Sequence, residues 1–382
     1  MKRTGKKTIG RFLTVTLIAS MLLSCFGNSA LAAPNDNLAS AEYTYRVENP
    51  YVYPVTTAEA PEVWESFKTH DEMVNVCQIP EQILSRMTTP QLLKACVDYP
   101  MFGDVLLFNS YDTGFTSVYN KFGGLQELFK RNDLGTELVK YFQSIDLAKF
   151  QEEVDYPTLK LAYICVLVSQ DQVLQLLSQA EYEAMVAKSK ALRNEISEKF
   201  SDYYSPDALV TLESRIMAKA PEIFSKPDFS PQDVSTTVQT PNGSTVYATM
   251  VTTELTTEQY NEALTYVQNN YPNATIDRYP TKKYNCHSYA WHNQSSSNNI
   301  WINAPQQRKY WTDGSYSLVA QYTGGSWPSG IVHGMKVDYV NSDHSARVYN
   351  STTMISKWGA SCLIRHPFAY CPYTSTAANF YD

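Results

Sequence analysis

The chain has 382 residues, of which 43% are hydrophobic and 18% charged, a composition that is typical of globular proteins and excludes a disordered chain. Its net charge is −7 and no basic stripe occurs, so the sequence predicts no nucleic-acid partner. The length is sufficient for two or three domains with a substantial core.

Residues 1–32 have the three-part pattern of a secretory signal peptide. A basic start, "MKRTGKKTIGR", precedes an apolar run that is too short to span a bilayer, and Ala30 and Ala32 fit the cleavage pattern. Removing this segment takes the net charge from −7 to −12. We expect a secreted, extracellular or cell-wall-associated protein with no membrane insertion after signal removal. The alternative is a lipoprotein anchored through Cys25, whose neighbours fit a lipobox poorly.

Six cysteines follow the predicted signal peptide. The chain is too long for a disulfide-framework scaffold, and no C-x-x-C pair favours a zinc finger. Cys77, Cys96 and Cys165 lie in apolar, helical contexts and are predicted to be buried. Cys362 and Cys371 could form a disulfide in an oxidising compartment, and the sequence leaves this open.

Helix signals dominate residues 59–225, after a polar lead-in at 33–58. Thr89 is the predicted N-cap of a helix with Pro90 at its first position, and Ser205 and Pro206 repeat that pattern. The region contains no catalytic constellation. We therefore predict an all-helical domain that packs as a bundle and could bind a protein partner.

A Pro/Ser/Thr/Asp-rich stretch, residues 226–243, is the predicted linker to a second domain at 244–382. This second part starts with a strand and a helix, for which Thr256 and Gln259 have the spacing of a capping box. Several short strands follow, and "YNSTT" between two of them predicts a hairpin. The predicted fold class is therefore α+β, with a helical domain first and a small antiparallel sheet after it.

Five of the six histidines lie in the last hundred residues, which points to the second domain as the site of chemistry. Cys286, His287 and His292 are the local candidates for a metal site. Adjacent side chains on a helix point about 100° apart, and residues five apart share a face poorly. We therefore predict no metal and no cofactor.

The same segment favours nucleophilic catalysis by Cys286. Asn285 is a good N-cap, which places Cys286 in the first turn of a helix, where the helix dipole and free N–H groups favour a thiolate. A histidine must come from elsewhere in the fold. His344, which opens a downstream strand, is the predicted general base, and Ser356 or His366 would orient it.

This arrangement resembles the circularly permuted papain-like enzymes, the NlpC-type cell-wall peptidases and the CHAP amidases. "YNCHSYAW" stands where they carry their cysteine motif, "SGIVHGMKVDYV" is similar to the strand before their histidine, and "DHSARVYNSTTMISKWG" is similar to their histidine hairpin. The resemblance covers about residues 280–366. His287 and Tyr289 replace the usual small residues, and Ser356 stands where the family has His, Asn or Glu.

The resemblance implies a papain-like domain at 244–382 and an exported cysteine hydrolase that cleaves amide bonds through an acyl-thioester. Peptidoglycan stem peptides or cross-bridges would be the substrate, with other peptides second. Four residues are expected to line the substrate cleft: Tyr284, Asn285, His287 and Trp291. The alternative is a non-catalytic secreted binding or adhesion protein on a retired papain-like scaffold, with Cys286 as a buried structural thiol.

Overall fold

The computed structural model describes residues 45–55, 61–220, 233–373 and 375–382. The predicted signal peptide with Cys25, and parts of the predicted lead-in and linker, lie outside these residues. The chain from Tyr43 to Asp382 forms one compact unit. The predicted helical and α+β parts are therefore described below as the helical region (61–220) and the sheet region (233–382) of that unit.

The helical region consists of short and medium α-helices, as the sequence predicts. Helix α9 lies at its centre, with ten of its residues buried, because it is apolar on all sides. The helices are α1 (Pro61–Ser66), α2 (His70–Val76), α3 (Glu81–Leu84), α4 (Thr89–Val97), α5 (Tyr111–Lys121), α6 (Gly123–Leu128), α7 (Leu134–Gln143), α8 (Leu147–Glu153), α9 (Pro157–Val168), α10 (Asp171–Leu174), α11 (Gln179–Glu195) and α12 (Asp207–Lys219). A 3₁₀ segment, Phe102–Leu107, precedes α5, and a π-helical segment, Ile196–Phe200, follows α11.

Side-chain caps fix several helix starts. The N-cap of α4 is Thr88, whose side chain accepts from the Gln91 backbone in a capping box. The prediction of Thr89 as the cap was therefore wrong by one residue, because the Gln91 side chain lies three residues after Thr88. The predicted capping box of Thr256 and Gln259 is confirmed.

The sheet region is built on one seven-stranded antiparallel sheet in the order β3-β9-β8-β7-β6-β10-β5, with a three-stranded sheet β1-β2-β4 beside it. Helices α13 (Thr257–Asn270) and α14 (Lys309–Thr312) lie between its strands in the sequence. The strands are β1 (Val234–Gln239), β2 (Thr245–Met250), β3 (Thr275–Arg278), β4 (Ile300–Trp301), β5 (Leu318–Tyr322), β6 (Lys336–Tyr339), β7 (Ser345–Val348), β8 (Thr353–Lys357), β9 (Leu363–Pro367) and β10 (Ala378–Tyr381). Helices first and antiparallel strands after confirm the coarse α+β prediction.

Strands β7 and β8 form the hairpin that "YNSTT" predicts, with Arg347 opposite Ile355. Because side chains alternate along a strand, Ala346 and Val348 enter the main core while Arg347 points to the other face. The main core also contains residues of α4, α7 and α9, so helices cover one face of the sheet. The other face carries Ile355 and Leu363, which pack with Tyr284 and Tyr289.

The helical and sheet regions thus share one continuous core. Within the ranges that the structure describes, every helix is too short or too polar to cross a membrane. The two faces of the large sheet have different neighbours, and this difference decides which histidines meet which partners.

Candidate active site

A short helix that begins at Cys286 carries the candidate nucleophile. The Asn285 side chain accepts hydrogen bonds from the backbone N–H groups of Ser288, at 3.1 Å, and Ile302, at 3.2 Å. The predicted cap is therefore confirmed, and Cys286 occupies the first turn. The helix continues as a π-helical segment, Ser288–His292. Such segments are rare in proteins, and those that occur are frequently found at functional sites.

The Cys286 side chain is fully buried between the two regions of the molecule. Its Sγ lies 3.3 Å from Nδ2 of Asn109, which stands just before α5. The same Asn109 nitrogen donates to Asp343, at 3.0 Å to the backbone oxygen and 3.2 Å to Oδ2. One amide of the helical region therefore joins the thiol to a carboxylate of the sheet region.

His287 is fully buried and has a partner at each ring nitrogen. Nδ1 lies 2.8 Å from Ser345 Oγ, and Nε2 lies 2.8 Å from Asp343 Oδ1. Burial alone would lower the pKa of His287, but Cys286 and Asp343 outweigh it and raise this pKa to about 10. The ion pair with Asp343 therefore favours the imidazolium form of His287, in which both N–H groups donate.

Asp343 completes this ion pair. Burial alone would raise the pKa of its carboxyl group, but the hydrogen bond and charge of His287, with the hydrogen bond from Asn109, lower it. Ser345 also accepts from Nε1 of Trp291, at 2.9 Å, so its hydroxyl oxygen is available to His287 as an acceptor. The thiol thus lies beside a fixed positive charge.

His344 lies between these residues in the sequence and on the opposite face of the sheet. Its ring stacks on Tyr373, with centroids 3.4 Å apart, and meets Tyr339 edge-on. Neither ring nitrogen has a hydrogen-bond partner among the described residues, although the side chain is fully buried. Burial first, and then the charges of His366 and His287, lower the pKa of His344 well below its usual value. His344 is therefore a neutral imidazole.

The expected hydrogen bond between Cys286 and His344 is not formed in this structure. Burial and then the charge of Cys286 raise the pKa of Tyr373, the ring that stacks on His344, so the thiol acts electrostatically on this ring system. A catalytic role for His344 stays a prediction.

Ser356 and His366 bond to each other and not to His344. Ser356 Oγ lies 2.8 Å from Nε2 of His366, whose Nδ1 lies 2.9 Å from the Pro367 carbonyl oxygen. Burial lowers the pKa of His366 to about 4. The prediction that either residue orients His344 is wrong for this structure, because both partners are already engaged on strands β8 and β9.

The four residues expected in a substrate cleft are buried instead. Asn285 caps the helix and also donates to the Ile302 carbonyl oxygen, and Trp291 packs in a second core with Tyr310 and Tyr381. Tyr284 packs against Leu363, and His287 is enclosed by its ion pair. The prediction of a cleft at these residues was wrong because the helix that begins at Cys286 covers this face of the sheet and buries their side chains.

The position of Asn109 is set by contacts of the preceding backbone. The Tyr373 hydroxyl donates to the Leu107 carbonyl oxygen, and Gly359 lies against residues 107–108. A Cβ at Gly359 would come within 2.7 Å of the Phe108 carbonyl oxygen, so only glycine permits this approach. The β8–β9 turn therefore holds the Asn109 loop against the sheet region.

Lys357 anchors the same turn. It is fully buried, and its ammonium donates to the carbonyl oxygens of Thr281, Gly359 and Ser361, each at 2.7 Å. Burial lowers the pKa of Lys357 to about 7. This residue ties the segment before Cys286 to the turn that positions Asn109.

Sequence reasoning missed Asn109, Asp343 and Ser345. Asp343 is an acid directly before the predicted base, which was a usable signal, whereas nothing in the sequence marks Asn109. All six described cysteines are free and buried, including Cys362 and Cys371. Among the described residues, no group of three or more His, Cys, Asp or Glu side chains could hold a metal ion.

Comparison with known proteins adds no identification. The chain matches no protein-family model, no curated protein and no solved structure. The function must therefore be argued from the site itself.

Proposed function

We propose that the protein is an exported cysteine hydrolase that cleaves amide bonds, with Cys286 as the nucleophile. The observation that carries this proposal is the position of Cys286 in the first turn of a capped helix, beside the His287–Asp343 ion pair and the Asn109 amide. The site favours the imidazolium form of His287 and the neutral form of His344. In enzymes, the general acid and the general base are often two titratable groups of one site whose pKa values are shifted in opposite directions.

His287 has an electrostatic role in this proposal. Its ring nitrogens are engaged by Asp343 and Ser345, and a hydrogen bond with Cys286 adds to its raised pKa. Its positive charge stabilises negative charge on the Cys286 sulfur during attack.

His344 has the proton-transfer role. A buried imidazole with two unsatisfied nitrogens is costly, and such groups are typical of sites with a function. Transfer of the Cys286 thiol proton to His344 requires the His344 ring to reach the sulfur in the substrate complex, because the two residues form no hydrogen bond in this structure.

The reaction then proceeds in two balanced steps. The sulfur attacks the amide carbonyl carbon, the C–N bond breaks, and His344 passes the thiol proton to the leaving nitrogen. Water attacks the acyl-thioester and gives a proton to His344, which returns it to the sulfur as the C–S bond breaks. Nδ2 of Asn109, next to the sulfur, is the candidate donor to the oxyanion.

Substrate access requires movement near Asn109, because the thiol is buried. A groove of about 380 Å³ lies next to Asp343, lined also by Phe108 and residues of α5. The polar lining suits a peptide or glycopeptide. Together with the resemblance to NlpC-type and CHAP enzymes, this supports peptidoglycan stem peptides or cross-bridges as the substrate.

The deciding experiment replaces Cys286 with Ala and measures hydrolysis of purified peptidoglycan and of peptide amides. Loss of the nucleophile is expected to reduce turnover by at least about 10³-fold. Cys362→Ala is the matched control, because it removes a buried free thiol of the same sheet region and is expected to retain activity. Equal activity of Cys286→Ala and the unchanged protein would refute the proposal.

The alternative of a non-catalytic binding protein is favoured by the complete burial of Cys286. Labelling with iodoacetamide at mildly acidic pH separates the two. Selective labelling of Cys286 supports the hydrolase, whereas slow and uniform labelling of all cysteines supports the binding protein.

A further inference from the structure

Two basic side chains face each other on the sheet face that packs against the Cys286 helix. Lys336 of β6 lies directly opposite Arg347 of β7 in the antiparallel register. Like charges in directly opposite positions destabilise a sheet. Stability alone would therefore favour a different residue at one of these two positions.

Neither cation has an acidic partner among the described residues. Arg347 donates to the Gly334 carbonyl oxygen, at 3.2 Å and 3.1 Å, and the Lys336 ammonium lies 3.9 Å from the ring centroid of Tyr316. Asp338, two residues along the same strand, and Asp382 are the neighbouring carboxylates, and neither forms an ion pair with them. The guanidinium therefore keeps donors free for a ligand.

Both side chains are half-buried, so their charges are partly removed from water. Burial first, and then the charge of Arg347, lower the pKa of Lys336 to about 8, although Asp382 opposes this. A partly desolvated cation pair without a counter-ion is costly. An anion bound between the two would offset that cost.

The pair lies close to the proposed site. Ser345, which accepts from His287, and Arg347 are two residues apart on the same face, about 7 Å along the strand. Arg347 also acts on Tyr289 of the π-helical segment, where burial raises the tyrosine pKa and the Arg347 charge opposes it. The cations thus flank the helix that carries the nucleophile.

We propose that Lys336 and Arg347 form a subsite for a carboxylate group of the substrate. This proposal rests on the proposed function and narrows the substrate to an acidic peptide. A guanidinium fork binds a carboxylate through two parallel hydrogen bonds, and the ammonium across the ladder supplies a second positive charge. The ring of Tyr316 forms one wall of the subsite.

The experiment measures binding to the Cys286→Ala protein, in which turnover cannot interfere. The probes are two dansylated pentapeptide amides that differ by a single glutamate or glutamine, followed by fluorescence anisotropy. The glutamate peptide is expected to bind about tenfold more tightly, as a charge-assisted pair predicts. Arg347→Gln and Lys336→Gln, each made separately, are expected to reduce or remove this preference.

Lys309→Met is the matched control, because Lys309 also lies over a tyrosine ring, that of Tyr247, and belongs to α14 and not to the β6–β7 ladder. It is expected to keep the full preference for glutamate. Equal binding of the two peptides, or a preference that survives both glutamine variants, would overturn the subsite. Folding of the variants is checked by thermal unfolding, where removal of one like charge is expected to raise the transition temperature.

The binding experiment tests the subsite separately from the hydrolase activity. Hydrolysis that depends on Cys286 but shows no preference for acidic peptides rejects the subsite and leaves the hydrolase intact. A glutamate preference in a protein without any amide hydrolysis supports the subsite and rejects the hydrolase.

Discussion

Two buried histidines, His70 of the helical region and His344 of the sheet region, differ in how their ring nitrogens are satisfied, whereas His287 and His366 of the sheet region are bonded at both nitrogens. In the helical region, His70 bonds to Asp104 through Nε2, at 2.7 Å, and to Lys121 through Nδ1, at 3.2 Å. In the sheet region, His344 is equally enclosed and neither nitrogen has a partner. Both ring nitrogens of His70 form hydrogen bonds that stabilise the fold, whereas both ring nitrogens of His344 lack a hydrogen-bond partner among the described residues.

This difference indicates which buried polar groups are candidates for function. Satisfied buried polar groups stabilise a structure, and an unsatisfied one costs free energy that function must justify. The same contrast extends to the cations, since Arg193 of the helical region pairs with Glu213 while Arg347 has no acid. His344 and Arg347 are thus two groups of the sheet region whose presence stability does not explain.

The largest expected effect is the loss of activity on replacing His344, and it is compared with the loss of stability on replacing His70. His344→Phe keeps the stacked ring and removes two unsatisfied nitrogens, so we expect activity to fall by about 10²- to 10⁴-fold without loss of unfolding free energy. His70→Phe removes one partner of the buried Asp104, to which Tyr266 and Tyr271 still donate, so we expect a loss of about 1–3 kcal/mol in unfolding free energy. Turnover assays and denaturant unfolding of both variants measure this.

The contrast fails if the two variants behave alike. A His344→Phe protein that loses several kcal/mol of stability would show that His344 supports the fold. A His344→Phe protein with full activity would remove it from the mechanism and leave the proton transfer without a residue.

A second test asks whether the helical region completes the site. Asn109→Ala removes the amide next to the Cys286 sulfur, and loss of one oxyanion donor typically lowers kcat by about 10²- to 10³-fold. Asn75→Ala, an exposed asparagine of α2 outside the groove, is the control and is expected to retain activity. Comparable rates for the two variants would confine the chemistry to the sheet region.

The third test compares buried lysines. Lys357→Met leaves three buried carbonyl oxygens without a donor, which is expected to lower the unfolding free energy by about 3 kcal/mol or more. Lys160→Met removes one bond, to the Val97 carbonyl oxygen, and an ammonium 3.7 Å from the Phe102 ring centroid, so we expect a loss of about 1–2 kcal/mol. Denaturant midpoints of the two proteins check the order, and a reversed order contradicts it.

The fourth test is the pH dependence of stability. The pKa of His366 is lowered to about 4 in the folded protein, from an ordinary value of about 6.5. The unfolded chain therefore binds the proton more readily, and the stabilisation present above about pH 6.5 is lost as the pH falls towards 4. Unfolding free energies across this range are expected to fall by roughly 3 kcal/mol from this group.

His366→Gln is the control for this pH effect, because glutamine can still bond to Ser356 and does not titrate. The variant is expected to show a correspondingly shallower decline between pH 6.5 and 4. An unchanged slope would assign the pH dependence to other groups.

The sequence was sufficient for features that depend on neighbouring residues. Asn285 as a helix cap, the Thr256–Gln259 capping box and the β7–β8 hairpin were all predicted, because caps and turns are encoded within a few positions. The placement of Cys286 in a first turn followed from the cap. The α+β order followed from the change in hydrophobic period along the chain.

The partners of the site depend on strand register and distant packing. Alternation along β7 places Ser345 towards His287 and His344 towards Tyr373, and a motif does not specify which face will meet the helix. Asn109 and Cys286 are 177 positions apart, and their contact depends on how an entire helical region packs. Local patterns cannot encode such a meeting.

The contact between Asn109 and Cys286 has a consequence for timing. The two residues come from opposite halves of the chain, and the Asn109 loop is held by Gly359 and Tyr373 near the other end. A nascent chain that has emerged only as far as Cys286 therefore lacks the complete site. If Cys286 is the nucleophile, the hydrolase would be inactive during synthesis. Its activity would begin when the last strands have folded and hold the Asn109 loop in place.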